Sequence, residues 1–177
     1  RSREIKVLGK NSAFEAPELP EISVLIPTYK RPDALQRTLS SLEEQTLGLT
    51  LFEVVVVDDG SDDATEELLR QFSRVTACRL SYAILEDNGG PARARNAGLG
   101  MCRGTVVLII GDDIELDTSM LEKHLLFHRE QPGEVFSLLG HVSFPEKLNP
   151  NAFMRWLEKG GRKYFFNYQD LVPGQEA

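Results

Sequence analysis

Apolar residues occur in short bursts along this chain, each closed by a polar or proline-containing turn, and between the bursts lie stretches whose leucines recur at helical spacing. "EISVLIP" (21–27) reads as a strand stopped by Pro27. The segment "RPDALQRTLSSLEEQT" (31–46) reads as a helix with Pro32 in its first turn and Leu35, Leu39 and Leu42 on one face. "FEVVVVD" (52–58) is a strand, and "DATEELLRQF" (63–72) a helix whose Asp63 and Glu66 fit a capping box. "RLSYAIL" (79–85) is a third strand, followed by a helix at "PARARNAGLGMC" (91–102) that opens on Pro91. "TVVLII" (105–110) is a fourth strand, and "SMLEKHLLFHREQ" (119–131) a helix ended by Pro132 and Gly133. Further on, "EVFSLLGHVSF" (134–144) reads as a long strand and "PNAFMRWLEKG" (150–160) as a helix. Residues 1–20 have little periodicity and read as an extended or disordered lead-in.

Strand–helix alternation of this kind specifies an α/β fold, a mostly parallel sheet with helices on both faces. In such sheets the loops leaving the carboxyl ends of the strands share one edge, where ligands bind. "PTYKR", "DDGSD", "EDNGGPARAR" and "GDDIE" each follow a strand, so all four polar clusters are expected to face one crevice.

The chemistry sits in those turns. Asp58 and Asp59 end the valine strand, and Asp112 and Asp113 end "TVVLII". One aspartate after a strand commonly serves as a helix N-cap. Two adjacent pairs on one edge need more, because like charges held together are costly unless a cation or hydrogen-bond donors neutralise them. Carboxylate oxygens suit Mg²⁺ or Mn²⁺, which bind through one or two carboxylates plus substrate phosphates. Arg93 and Arg95 lie near the start of a helix preceded by Gly89 and Gly90. They form either a solvated basic face or a diphosphate clamp, in which guanidinium forks and a helix N-terminus meet phosphate oxygens. Tyr29 either stacks on a base or packs.

Composition narrows the field. The 177 residues, 41% hydrophobic and 27% charged, suit one well-packed soluble domain. A net charge of −7 argues against broad nucleic-acid binding. No apolar run reaches the length of a transmembrane span, and no secretory leader opens the chain. The chain therefore reads as cytoplasmic, with any membrane association left to regions outside it. Cys78 and Cys102 have neither metal-ligand nor CxxC spacing and read as reduced thiols. His124 and His128 share a helix face but lack an HExxH glutamate, so packing is the simpler account. "GLGMCRG" follows a helix and precedes a strand, the reverse of a dinucleotide-binding glycine loop. The acidic strand ends also fit the pocket of a phosphorelay receiver, an Mg-binding switch with Asp112 or Asp113 as phosphoryl acceptor. That reading leaves "VLIPTYKRP" and "NGGPARARNAG" without a purpose.

Taken together, "ISVLIPTYKRPDALQRTLSSLEEQT", "FEVVVVDDGSDD", "NGGPARARNAGL" and "GTVVLIIGDDIEL" resemble glycosyltransferase family 2, a group of GT-A fold (Rossmann-like) enzymes. The resemblance runs from about Ile22 to Leu125. It implies a metal-assisted, inverting transfer of a sugar from a nucleoside-diphosphate sugar, UDP first among the nucleotides, to a saccharide, lipid or protein acceptor. By the same resemblance Pro27, Thr28 and Tyr29 contact base and ribose, and Arg31 falls where their loop meets the nucleotide. Asp59, with Asp58 beside it, accepts hydrogen bonds from base and ribose, while Gly90, Arg95 and Asn96 lie along the diphosphate. Asp113 is the implied ligand of a divalent Mg or Mn ion, with Asp112 nearer the ribose and part of the same metal motif. One departure stands out: Gly111 occupies the usual first aspartate of Asp-x-Asp. A nucleotide-sugar pyrophosphorylase would carry a glycine-rich loop after the first strand, and "PTYKRP" is not one.

The resemblance also implies a general base on the acceptor side, in an acidic motif well after the metal motif. Of the later acids, Asp170 in "NYQDL" has the best position but lacks a neighbouring acid. The expected organisation is thus a lead-in over 1–20 and a GT-A nucleotide-sugar-binding domain over 21–177, short of its acceptor-side part and its base.

Overall fold

The valine run and its neighbours fold into five strands: β1 (Ile5–Lys10), β2 (Ile22–Thr28), β3 (Phe52–Asp58), β4 (Arg79–Leu85) and β5 (Val106–Ile109). They form one sheet in the order β1-β4-β3-β2-β5. Strands β2 to β5 are parallel, and β1 adds an antiparallel edge against β4. The structure is a computed structural model that describes residues 5–131, 133 and 137–158. It divides into two units at Glu134.

Period-two alternation decides which helix covers which face of the first unit. Val24, Ile26, Val54 and Val56 point to a core shared with α1 (Pro32–Glu43), α2 (Thr65–Val75) and α4 (Met120–Glu130), through Leu35, Leu39, Leu69, Leu121 and Leu125. Leu25, Val55 and Val57 point the other way, onto Ala94 and Ala97 of α3 (Pro91–Leu99). Helices therefore lie on both faces, as the alternation of elements implies. Helix α3 packs closely because its inner face is small: a Cβ on Gly98 would stand 2.2 Å from a Leu25 methyl.

Several local expectations need correction. β2 runs one residue past Pro27, to Thr28. The capping box at Asp63 and Glu66 does not form. Asp63 instead takes the amide and hydroxyl of Thr65, and Glu66 pairs with Arg70 one turn on. Residues 5–10 of the lead-in are a paired strand, and Asn11 extends the pairing by bonding both the Cys78 carbonyl and the Leu80 amide. β5 is an edge strand, with Val107 and Ile109 partly in solvent. Of the strand expected over 134–144, residues 134–136 lie outside the described residues and 137–144, in the second unit, form no strand; the Phe144 amide donates instead to the Glu158 carboxylate. A short helix, α5 (Ala152–Glu158), does form there, with the Phe153 and Trp156 rings stacked at 5.8 Å.

A buried ionic cluster pins the sheet at the end away from the polar loops. Glu53, fully buried near the start of β3, accepts from the Ser23 hydroxyl at 2.6 Å, the Arg103 amide at 2.6 Å and the Arg103 side chain at 2.8 Å. The Arg103 guanidinium also lies 3.7 Å above the Phe14 ring. This network leaves the opposite, carboxyl edge free for chemistry.

Candidate functional site

β2 lies where the strand order reverses, since β3 and β4 extend to one side of it and β5 to the other. A crevice is expected beyond the carboxyl ends at such a reversal. A cleft of about 390 Å³ opens there, lined by Pro27, Thr28, Tyr29, Arg31, Asp59, Asn88, Gly90, Pro91, Ala94, Arg95, Gly111, Asp112 and Asp113. All four polar clusters contribute to it.

Its walls are tied together by hydrogen bonds that radiate from the aspartates. Asp112 is buried, and the Thr28 hydroxyl donates to its Oδ2 at 2.8 Å. Arg31 forks across the pair, Nη1 to Asp112 Oδ1 and Nη2 to Asp113 Oδ2, both at 3.0 Å. These two carboxylates raise the Arg31 pKa further, the hydrogen bond to Asp113 first and the Asp112 charge next. The Asp112 carbonyl accepts from Thr38 of α1, so the turn after β5 is held from two elements. A Cβ at Gly111 would come 2.8 Å from Asp113 Oδ1, a half-exposed side-chain tip that can turn aside.

On the opposite wall Asp59 is buried, and its carboxylate accepts the amides of Gly89, at 3.0 Å, and Gly90, at 2.6 Å. Gly90 precedes α3 with φ of 89°, a left-handed conformation that glycine adopts without strain. The two glycines thereby bring the N-terminus of α3 to the cleft. Arg95 follows one turn into the helix and lines the cleft.

Asp58 and Asn96 do not line it. Asp58 is fully buried and accepts both the amide and the hydroxyl of Ser61, the latter at 2.5 Å. Burial pushes its pKa up, against the opposing pull of those hydrogen bonds. The Ser61 hydroxyl oxygen in turn accepts the Lys30 amide at 2.8 Å, and Lys30 reaches Asp62 at 2.6 Å. Asp58 thus organises the loop that carries Tyr29 and Arg31. Arg93 turns away as well: it grips the Asp87 carboxylate at 3.0 Å and the Asp87 carbonyl at 2.8 Å, so a clamp formed by both arginines reduces to Arg95. Asn88, Pro91, Ala94 and Gly111 line the cleft without having been singled out as site residues. All four flank or lie inside the quoted polar motifs, which was the available signal. Asp170 lies outside the described residues.

The acid pair has the chemistry of a divalent-ion site completed by a ligand. Asp112 and Asp113 share one cation, Arg31, which leaves the pair with a net negative charge, and Asp113 remains half exposed. Among the described residues no third His, Cys, Asp or Glu joins them, so an ion held here would fill its coordination with water and substrate phosphate oxygens. His124 is buried in α4, where burial and the nearby His128 lower its pKa. No described helix is long and apolar enough to cross a membrane.

A family model described as "Glycosyl transferase family 2" matches residues 23–175. The glycosyltransferase AglE of Haloferax volcanii is 34% identical over 105 residues, 59% of this chain and 34% of that protein. A structure of S. aureus TarS in complex with UDP-GlcNAc superposes with a TM-score of 0.59 at 30% identity, covering 67% of this chain and 37% of that one. The mannosyltransferase PcManGT of Pyrobaculum calidifontis, in complex with GDP-Man and Mn²⁺, superposes with a TM-score of 0.51 at 26% identity, covering 62% and 31%. The chain spans about a fifth to a half of the length of the curated relatives it matches.

Proposed function

The chain belongs to glycosyl transferase family 2, and from that premise we propose that its cleft binds a nucleoside-diphosphate sugar, a UDP-sugar first, for transfer to an acceptor hydroxyl. The observation that carries this reading is the convergence of Tyr29, Asp59, Arg95 and Asp113 on one cleft. Such a set offers an aromatic face for a base, a carboxylate for base or ribose donors, and cationic and carboxylate groups for a diphosphate with its ion. TarS bound to UDP-GlcNAc and PcManGT bound to GDP-Man and Mn²⁺ support the donor class.

The residues divide the work by chemistry. Tyr29, partly exposed on the β2 loop, stacks on the base, and Asp59 accepts from base or ribose through lone pairs that the glycine amides leave free. The N-terminus of α3 and the Arg95 guanidinium take the diphosphate oxygens. Asp113, with Asp112, would hold Mg²⁺ or Mn²⁺, which when bound supplies Lewis-acid stabilisation to the departing diphosphate. In the family resemblance an acceptor hydroxyl attacks the anomeric carbon in one inverting step, and a general base removes its proton. The three carboxylates lining the cleft are taken by these donor-side roles, Asp59 toward base or ribose and Asp112 and Asp113 toward the ion, so this base is sought outside them.

Saturation-transfer NMR with UDP-sugars tests the proposal. The uridine ring protons should receive saturation from the wild-type protein and lose it when Tyr29→Ala opens the stacking face. Uridine signals that stay unsaturated throughout, or that are untouched by the substitution, would contradict the assignment of this wall to the base.

A further inference from the structure

The Asp112–Asp113 pair already has a cation, and that cation is a side chain. Arg31 Nη1 and Nη2 each stand 3.0 Å from one carboxylate oxygen of the pair, in a geometry that occupies both acids at once. The backbone of Arg31 is fixed, since its carbonyl accepts the Leu35 amide and Lys30 before it is tied to Ser61. Its side chain is half in solvent and can leave without moving the loop. Asp112 has its second oxygen committed to Thr28. With no third His, Cys, Asp or Glu alongside among the described residues, a lone divalent ion arriving at the pair would gain few ligands while losing none of its repulsion from the guanidinium.

Resting on the reading of the cleft as a donor and metal site, we infer that Arg31 is an internal counter-cation that keeps the acid pair closed to divalent metal until a diphosphate arrives. The diphosphate offers Arg31 an alternative bidentate partner and offers the ion the oxygens that the protein lacks. Metal and nucleotide therefore bind together, and Arg31 is the positioning residue that makes them do so. The coupling is reciprocal: the nucleotide raises metal affinity by the same factor as the metal raises nucleotide affinity.

The test is Mn²⁺ binding to the nucleotide-free protein, read as the loss of the free-ion EPR signal. Wild type should take up Mn²⁺ weakly alone and strongly with UDP. Arg31→Gln should bind Mn²⁺ without nucleotide roughly tenfold more tightly than wild type, the scale of losing a half-exposed fork to two carboxylates. Adding Asp113→Asn to Arg31→Gln should abolish that gain. Arg31→Lys, which keeps the charge but cannot span both acids, should show a smaller gain and serves if Arg31→Gln does not fold by circular dichroism. If wild type with UDP binds Mn²⁺ but neither variant gains any without nucleotide, Arg31 does not close the pair and the donor reading stands. Tight Mn²⁺ binding by nucleotide-free wild type would likewise overturn the inference alone. If neither wild type with UDP nor either variant binds Mn²⁺, the metal assignment itself fails, and the inference with it.

Discussion

The amide of Gly90 donates to the carboxylate of Asp59 at 2.6 Å, joining the end of the valine strand to the start of α3 across the cleft floor. Asp59 is thus a strut as well as a candidate ligand contact. Asp59→Ala removes the acceptor for both glycine amides and should cost about 2 kcal/mol of stability, the scale for hydrogen bonds to a charged group. Its loss of UDP affinity should exceed that of Asp59→Asn, which keeps one acceptor oxygen. Denaturant unfolding and fluorescence titration measure the two effects separately, and equal UDP affinity in all three proteins would remove Asp59 from the site.

Asp113→Ala should leave a weak, metal-independent UDP affinity and remove its enhancement by Mn²⁺. Comparing UDP affinity in Mn²⁺ and in EDTA for wild type and variant checks this. An enhancement that survives the substitution would show that the ion is held elsewhere.

Asp58 gives a pH dependence. Its folded pKa lies above the unfolded value because burial penalises the charged form. A group shifted this way contributes its stability below the unfolded pKa and loses it as pH rises through the folded one. Asp58→Asn, which cannot ionise, avoids that loss. Its melting temperature relative to wild type should therefore climb as pH rises from about 3.5 to 7. A difference that stays flat or falls over that range would mean that hydrogen bonding to Ser61, not burial, governs this carboxylate.

Glu53→Ala separates stability from function. It leaves the quarter-exposed Arg103 guanidinium without its carboxylate and should cost about 3 kcal/mol, the low end for breaking a buried pair. Glu53 is near the start of β3 and the cleft is beyond its end, so UDP affinity of the folded variant should be unchanged. A large affinity loss in folded protein would link the two ends of the sheet in a way the present account does not contain.

Much of this was legible in the residues because the signals are local. Strands β2 to β5 announce themselves as apolar runs closed by turns, and their alternation with amphipathic helices specifies the parallel sheet and its binding edge. Strand β1 was not legible, since "IKVLGK" buries little and is held by pairing with a strand far along the chain. The acids of the cleft were visible as residue types, but their neighbours were not. Backbone amides bind Asp59, and a backbone donor leaves no mark in composition. The Arg31 fork joins residues 31, 112 and 113, which no local pattern connects. Asp58 and Asp59 look alike in "VVVVDDGSDD", yet Asp58 ends the strand bonded to Ser61, and Asp59, just past it, is held to the cleft by the Gly89 and Gly90 amides.

The central claim is that this cleft is a nucleoside-diphosphate site, and titration calorimetry of UDP into the protein with Mn²⁺ tests it most directly. The account predicts saturable one-site binding that weakens in EDTA and is lost or strongly reduced by Arg95→Ala. Absence of heat from both UDP and GDP, with and without Mn²⁺, in a protein shown to be folded would contradict it.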